Sequence, residues 1–274
     1  MPTEILTGPV GEVRAASTAS GGTALTTTAA YIQLPLYTAH IELIPRNFAA
    51  AIVVKWNKNP WLVVLKTTDN MLTEPIDYSI HAQDSDTATE VDVSSLSTLA
   101  NGDFLLIGSH LPFRGCWFDM DGTNGAGTAT LSVSYYSDTW EAMTVGGGTL
   151  TDGTFSTMTF AQDGLVYWTP SANWTPRMLS ELYPTMTVKT YYTHVPLYWT
   201  RWAVSAALAD TTVTMDSIVA ANRNTTYPEI PSGFAHQEII EHGFGGIGCI
   251  EALTDLGTAN LIVNCATRRG GKFR

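Results

Sequence analysis

Residues 128–136 read Thr128-Ala129-Thr130-Leu131-Ser132-Val133-Ser134-Tyr135-Tyr136. Large apolar and small polar side chains alternate along this stretch, the period of a strand with one face buried. The alternation predicts Leu131, Val133 and Tyr135 on one face. The same chemistry recurs on both sides. Asp103-Phe104-Leu105-Leu106-Ile107-Gly108 and Gly115-Cys116-Trp117-Phe118-Asp119 read as strands before it. Gly164-Leu165-Val166-Tyr167-Trp168, Tyr198–Ser205 and Thr212–Met215 read as strands after it. Strands this short, punctuated by Gly, Asn and Pro, indicate a β-sandwich.

Towards the N-terminus, Ile41–Ile44, Ala51–Trp56 and Trp61–Lys66 are further β-branched or aromatic runs. Asn57-Lys58-Asn59-Pro60 between the last two has hairpin-turn chemistry. Residues 69–100 are polar and acidic, with Asp84, Asp86, Glu90 and Asp92, and predict a loop with a short strand near Val91–Val93 and a turn at Ser95–Leu99. Pro176–Leu182, ended by Pro184, is the one helix candidate. The expected fold is therefore all-β, a β-sandwich of jelly-roll or immunoglobulin-like type. The expected division is an extended N-terminal arm (1–30, rich in Gly, Ser, Thr and Ala) that orders on a partner. A first β subdomain (31–100), a β-sandwich module (101–226) and a C-terminal β segment with a basic tail (227–274) follow.

Composition narrows the function classes. Charged residues make up 14% of the 274 residues, against about 25% in an ordinary soluble domain. Burial against neighbours in an assembly reduces the need for solubilising charge. The formal net charge is −11, which repels nucleic acid. Four of the fourteen Lys and Arg lie in the last seven residues, Arg268, Arg269, Lys272 and Arg274, and this tail reads as a solvated or partner-docking terminus. No positive n-region precedes an apolar stretch, so no signal peptide is expected, and no run approaches the length of a membrane span. Cys116, Cys249 and Cys265 have no metal-ligand spacing and are expected as free thiols.

Several motifs invite chemistry and lack its context. Phe118-Asp119-Met120-Asp121-Gly122-Thr123 spells the nucleophile loop of haloacid-dehalogenase-like phosphatases. That loop needs a parallel strand beneath covering helices; here the surroundings are β strands and turns. Asp119 and Asp121 are also candidate ligands for a structural cation, without the closing Glu of a calcium loop. Gly243–Gly248 matches a dinucleotide fingerprint letter for letter, with no room for the rest of the unit. On a strand, His236, Glu238, Ile240 and His242 share a face, which makes His236 and His242 candidate metal ligands and, more ordinarily, part of a polar subunit contact. No catalytic residue and no cofactor is expected. Eight tryptophans are assigned mainly to the core, with Trp140 and Trp174 as the exceptions available to stack on sugars, because both sit in turn contexts.

One stretch carries a family resemblance. Phe104–Gly115 runs into Trp117-Phe118-Asp119; Leu131–Tyr136 and Trp140 follow, then Gln162–Pro170, Trp174 and Leu197–Leu208. The pairing of Gly164-Leu165-Val166-Tyr167-Trp168-Thr169-Pro170 with Tyr198-Trp199-Thr200-Arg201-Trp202-Ala203-Val204-Ser205 resembles a β-sandwich module of tailed-bacteriophage structural proteins. The resemblance covers about 40% of the chain and rests on an aromatic pattern. It implies a non-enzymatic virion component assembled in the host bacterial cytoplasm. The expected role is a capsid decoration or cement protein on the major capsid lattice or other virion proteins, as a homo-oligomer, a trimer favoured. No nucleic-acid or membrane partner is expected. The alternative is a tail, baseplate or fibre component binding host glycan. Within the second motif, alternation puts Tyr198, Thr200 and Trp202 on one face and Trp199 and Arg201 on the other. Arg201 is expected to stack on a ring or pair with an acid such as Asp163.

Overall fold

The computed structural model describes residues 10–15, 21–84, 86–143, 150–187, 190–208, 211–221, 227–240 and 246–268. The chain is nearly all β, as expected, with four antiparallel sheets. It divides into two units, one of Met1–Asn59 with Asn224–Arg274 and one of Pro60–Arg223.

The first unit is built from both ends of the chain. Strands β1 (Val10–Ala15), β2 (Thr23–Leu25), β3 (Ala30–Gln33), β4 (Thr38–Ala49) and β5 (Val53–Pro60) come before the second unit. The second unit holds β6 to β16, and the chain then returns with β17 (Glu229–Pro231), β18 (His236–Ile239), β19 (Ile247–Thr254) and β20 (Thr258–Arg268). One sheet runs β1-β20-β4-β18, with β2 also on β20; the other runs β17-β5-β19-β3. Their facing side chains, among them Leu25, Ile41, Leu43, Trp56, Ile250, Leu261 and Val263, form one buried core. Gly257 closes the β19–β20 turn at φ +64°, where a Cβ would lie 2.2 Å from the Ala49 carbonyl oxygen, so only glycine fits.

Three expectations are corrected here. The segment 1–30 is not a free arm where it is described: Val10–Ala15 and Thr23–Leu25 both pair with β20, and Leu25 lies in the core. Residues 1–9 and 16–20 of that segment lie outside the described residues. The boundaries at 30/31 and 100/101 do not follow the packing, whereas the one at 226/227 falls within three residues of the division between the units. Strand β6 (Val63–Thr67) pairs with β9 (Phe104–Ser109), across the expected 100/101 boundary, and 227–268 supplies four strands of the first unit. Asn57–Pro60 is no hairpin turn. These residues continue β5, and the buried Asn59 amide donates to Glu251 at 3.2 Å. Tertiary pairing of β5 overrides the local turn chemistry.

The second unit is a sandwich of its own. One sheet has the order β12 (Trp140–Ala142), β11 (Leu131–Tyr136), β15 (Tyr198–Val204), β9, β6, β7 (Ile76–Asp77). The other has the order β13 (Thr151–Asp152), β14 (Gly164–Tyr167), β10 (Gly115–Gly122), β16 (Thr214–Ala221), β8 (Val91–Asp92). The core between them includes Leu105, Ile107, Val133, Tyr135 and Trp202 from the first and Cys116, Phe118, Val166 and Ile218 from the second. Trp202 meets Phe118 and Trp168 edge-on, with centroids 5.3 and 5.6 Å away, the geometry favoured by aromatic quadrupoles. Lys66 crosses this interior, its ammonium donating to the Asp92 carbonyl at 2.6 Å. Burial pulls the Lys66 pKa down. The helix is shorter than expected: α1 spans Leu179–Leu182 and stops at Tyr183, before Pro184.

Replacing Leu25 by Ala is expected to cost the first unit about 2–5 kcal/mol, the range for a buried leucine. Urea unfolding followed by tryptophan fluorescence measures it. An unchanged midpoint would return the segment to the status of a free arm.

Candidate functional site

The site starts from the alternation in β15. Trp202 points into the core; Trp199 and Arg201 take the opposite face of the six-stranded sheet. Trp199 is fully buried there because Gly108 opposite leaves room for its ring: a Cβ on Gly108 would lie 2.6 Å from ring carbons. The Trp199 indole donates to the Arg177 carbonyl at 2.9 Å. Phe104 stacks on Tyr183 at 6.1 Å and 23°, extending this second apolar layer.

Arg201 lies at the margin of that layer and is half-buried. It pairs across the sheet with Leu106 and Ser134. Its guanidinium carbon stands 4.5 Å from the Trp140 ring centroid and 5.8 Å from that of Phe104, within cation–π range. The Tyr183 hydroxyl is buried beside the guanidinium and interacts with it. Burial pushes the Tyr183 phenol up, and it draws the Arg201 pKa down. Trp140 is the first residue of edge strand β12 and sits directly opposite Tyr136 across a tight hairpin. The two rings meet edge-on at 5.4 Å. Arg177 stands over the Tyr136 ring at 6.0 Å, and its guanidinium lies 3.5 Å from the exposed Asp138 carboxylate. Two guanidinium groups thus flank one aromatic pair.

The sequence-predicted residues separate accordingly. Trp140 is half-exposed and belongs to this cluster. Trp174 does not. It is 5% exposed, packs against Phe113, Trp168 and Tyr198, and donates its indole N–H to the Trp199 carbonyl at 3.2 Å. Its turn context sits over the core, so it offers no face for a sugar. Arg201 stacks on a ring, and no ion pair to Asp163 forms.

Asp119 and Asp121 project from β10, which is antiparallel to both its neighbours, β14 and β16. The parallel strand of the phosphatase loop is absent at that position. The β10–β16 register shifts on either side of Met120, and bulges of this kind re-aim side chains. They bring Asp119, Asp121 and Asp216 into one acidic patch with Asp163, whose carboxylate accepts from the Met120 amide at 3.0 Å. Desolvation, then Asp163 and Asp216, push the Asp119 carboxyl up; desolvation, then Asp121 and Asp163, do the same for Asp216. His236 lies on β18 with its ring 4.8 Å from that of Trp56, and Glu238 pairs with Lys58. His242, and Gly243–Gly245 of the glycine motif, lie outside the described residues. Among the described residues no group of three or more His, Cys, Asp and Glu is arranged to hold a metal ion. The three cysteines are buried and form no disulfide with one another. No described helix is long and apolar enough to cross a membrane.

Sequence reading missed Arg177, Tyr136 and Tyr183 as companions of Trp140. The available signal was the Tyr136–Trp140 spacing around a Ser-Asp-Thr turn. Comparison of the chain with protein-family models, with curated proteins and with solved structures found no match.

The raised carboxyls carry a pH dependence. A carboxyl whose folded pKa exceeds its unfolded value binds its proton more tightly in the folded state. Its charge therefore weakens the fold at neutral pH, and the penalty fades as pH falls through the raised value. Asp119→Asn is expected to raise stability at pH 7 by less than about 1 kcal/mol, given solvent screening. The gain should vanish towards pH 3. Thermal unfolding across that range tests this; a gain that grows on acidification would contradict it.

Proposed function

We propose that the chain is a structural component of a bacteriophage virion, of the capsid decoration or cement type, which binds the major capsid lattice as a symmetric oligomer. The observation that supports this best is apolar surface left at the margins of both units. In the first unit Ile52, Phe234 and Leu256 are 66%, 66% and 58% exposed. Asp255 holds two of their loops together, its carboxylate accepting from the Ile52 and Val53 amides at 3.1 and 3.2 Å. Those hydrogen bonds keep the Asp255 carboxyl below the ordinary range. In the second unit Ile76 stands exposed on edge strand β7, with Ile80 and Leu72 also exposed in the flanking turns. Rigidly presented apolar side chains and an uncovered sheet edge are the surface of an assembling protein. The aromatic resemblance over 103–208 supports the virion context, and the trimer is carried as the expected oligomer.

The second reading is a tail, baseplate or fibre component that binds host glycan. The half-exposed Trp140 and its paired Tyr136 favour it, whereas Trp174 contributes nothing to it.

Immunogold electron microscopy of purified particles of the encoding phage tests both. Gold over the capsid shell is the expected result. Gold confined to the tail or baseplate supports the second reading, and particles without label overturn the virion assignment.

A further inference from the structure

The second unit holds seventeen Asp and Glu against six Lys and Arg, while the first unit has eight of each, so the second unit carries the whole formal charge of −11. In such surroundings every cation should find an acid. Lys66 and Arg177 do. Arg201 and the exposed Arg114 do not, and of these two only Arg201 is half-buried: among the described residues no carboxylate lies within ion-pairing distance of it. A half-buried cation without a counter-charge costs folding free energy.

Beyond the Trp140 ring and the Tyr183 hydroxyl, no partner of the Arg201 side chain carries a negative charge among the described residues. A guanidinium offers five N–H donors, all in its own plane. A guanidinium that meets a ring through the face of that plane keeps in-plane donors for other partners. The Tyr183 hydroxyl is buried beside it and interacts with the guanidinium. A carboxylate is the anion whose two oxygens match the guanidinium fork. Around it stand the Tyr136–Trp140 pair, and Asp138, which is exposed and able to accept from a hydroxyl. An aromatic edge, a forked cation and a nearby acceptor suit one ligand class. That class is a sugar ring with a C–H face, hydroxyls and a carboxylate.

We propose that the surface formed by Tyr136, Trp140, Arg177 and Arg201 binds carboxylate-bearing sugars, with Arg201 taking the carboxylate. This rests on the glycan-binding reading and names its ligand class. It is independent of where in the particle the chain sits.

The test is isothermal titration of the full chain with oligogalacturonate, its methyl ester, a neutral galactose oligosaccharide and oligoglutamate. Saturable binding of oligogalacturonate is expected, at least about tenfold weaker for the methyl ester and the neutral sugar, since removal of a charge-assisted pair costs that much or more, and weaker by a similar factor for oligoglutamate, which keeps the carboxylates and lacks the sugar ring. Arg201→Lys keeps the charge and loses the fork, and should weaken oligogalacturonate binding by a similar factor at an unchanged thermal midpoint. The ester comparison uses the unaltered chain and stands if that variant fails to fold. No binding of oligogalacturonate, or equal binding of oligoglutamate, overturns the proposal. Equal binding of the acid and ester forms also overturns it and leaves the glycan-binding reading in place.

Discussion

The ladder between β4 and β20 is the constraint on which the first unit depends. It joins Thr38–Ala49 to Thr258–Arg268, more than two hundred residues apart in sequence. Closing so long a loop costs chain entropy before any contact repays it. The repayment is the apolar face it assembles: Ile41 and Leu43 from one strand, Leu261, Val263 and Cys265 from the other, all at 0–1% exposure. Strands β1 and β2 then add to the free side of β20, and β18 to that of β4. Nothing in the N-terminal segment has a sheet to join until the C-terminal segment arrives.

The second unit depends on a different device, strict alternation on β15. Trp202 anchors the core while Trp199 and Arg201 face the other way. Burying both faces of one strand needs a second covering layer, and the chain supplies it with Arg177, α1 and Tyr183. Where that layer ends, Arg201 remains half in solvent on the Trp140 ring. The candidate site is thus a by-product of how the sheet is covered, and the edge strand β12 fixes its geometry through a single cross-strand pair.

The all-β class, the strands from Phe104 to Met215 and the sorting of Trp202 from Arg201 were legible because period-two alternation is a local signal. The domain division was not. Which strand pairs with which is decided by contacts hundreds of residues apart, so Leu25 looked like part of an arm and Asn57–Pro60 like a turn. Trp174 was misplaced for a related reason: a turn residue is exposed only if nothing lies beneath it, and here Phe113 and Trp168 do. The β surroundings of Asp119 and Asp121 were legible, and β10 is antiparallel to both its neighbours. Their true neighbours, Asp163 and Asp216, depend on strand register and bulges that the sequence does not announce.

The central structural claim is that residues from the two ends of the chain form one cooperative unit with its own core. Hydrogen exchange read by mass spectrometry on Leu261→Ala tests it directly. The claim predicts that amides of Ile41–Ile44 and Leu261–Cys265 lose protection together, while those of β10, β15 and β16 keep theirs. If β20 loosens with β4 still fully protected, the two segments are not one unit and the claim fails.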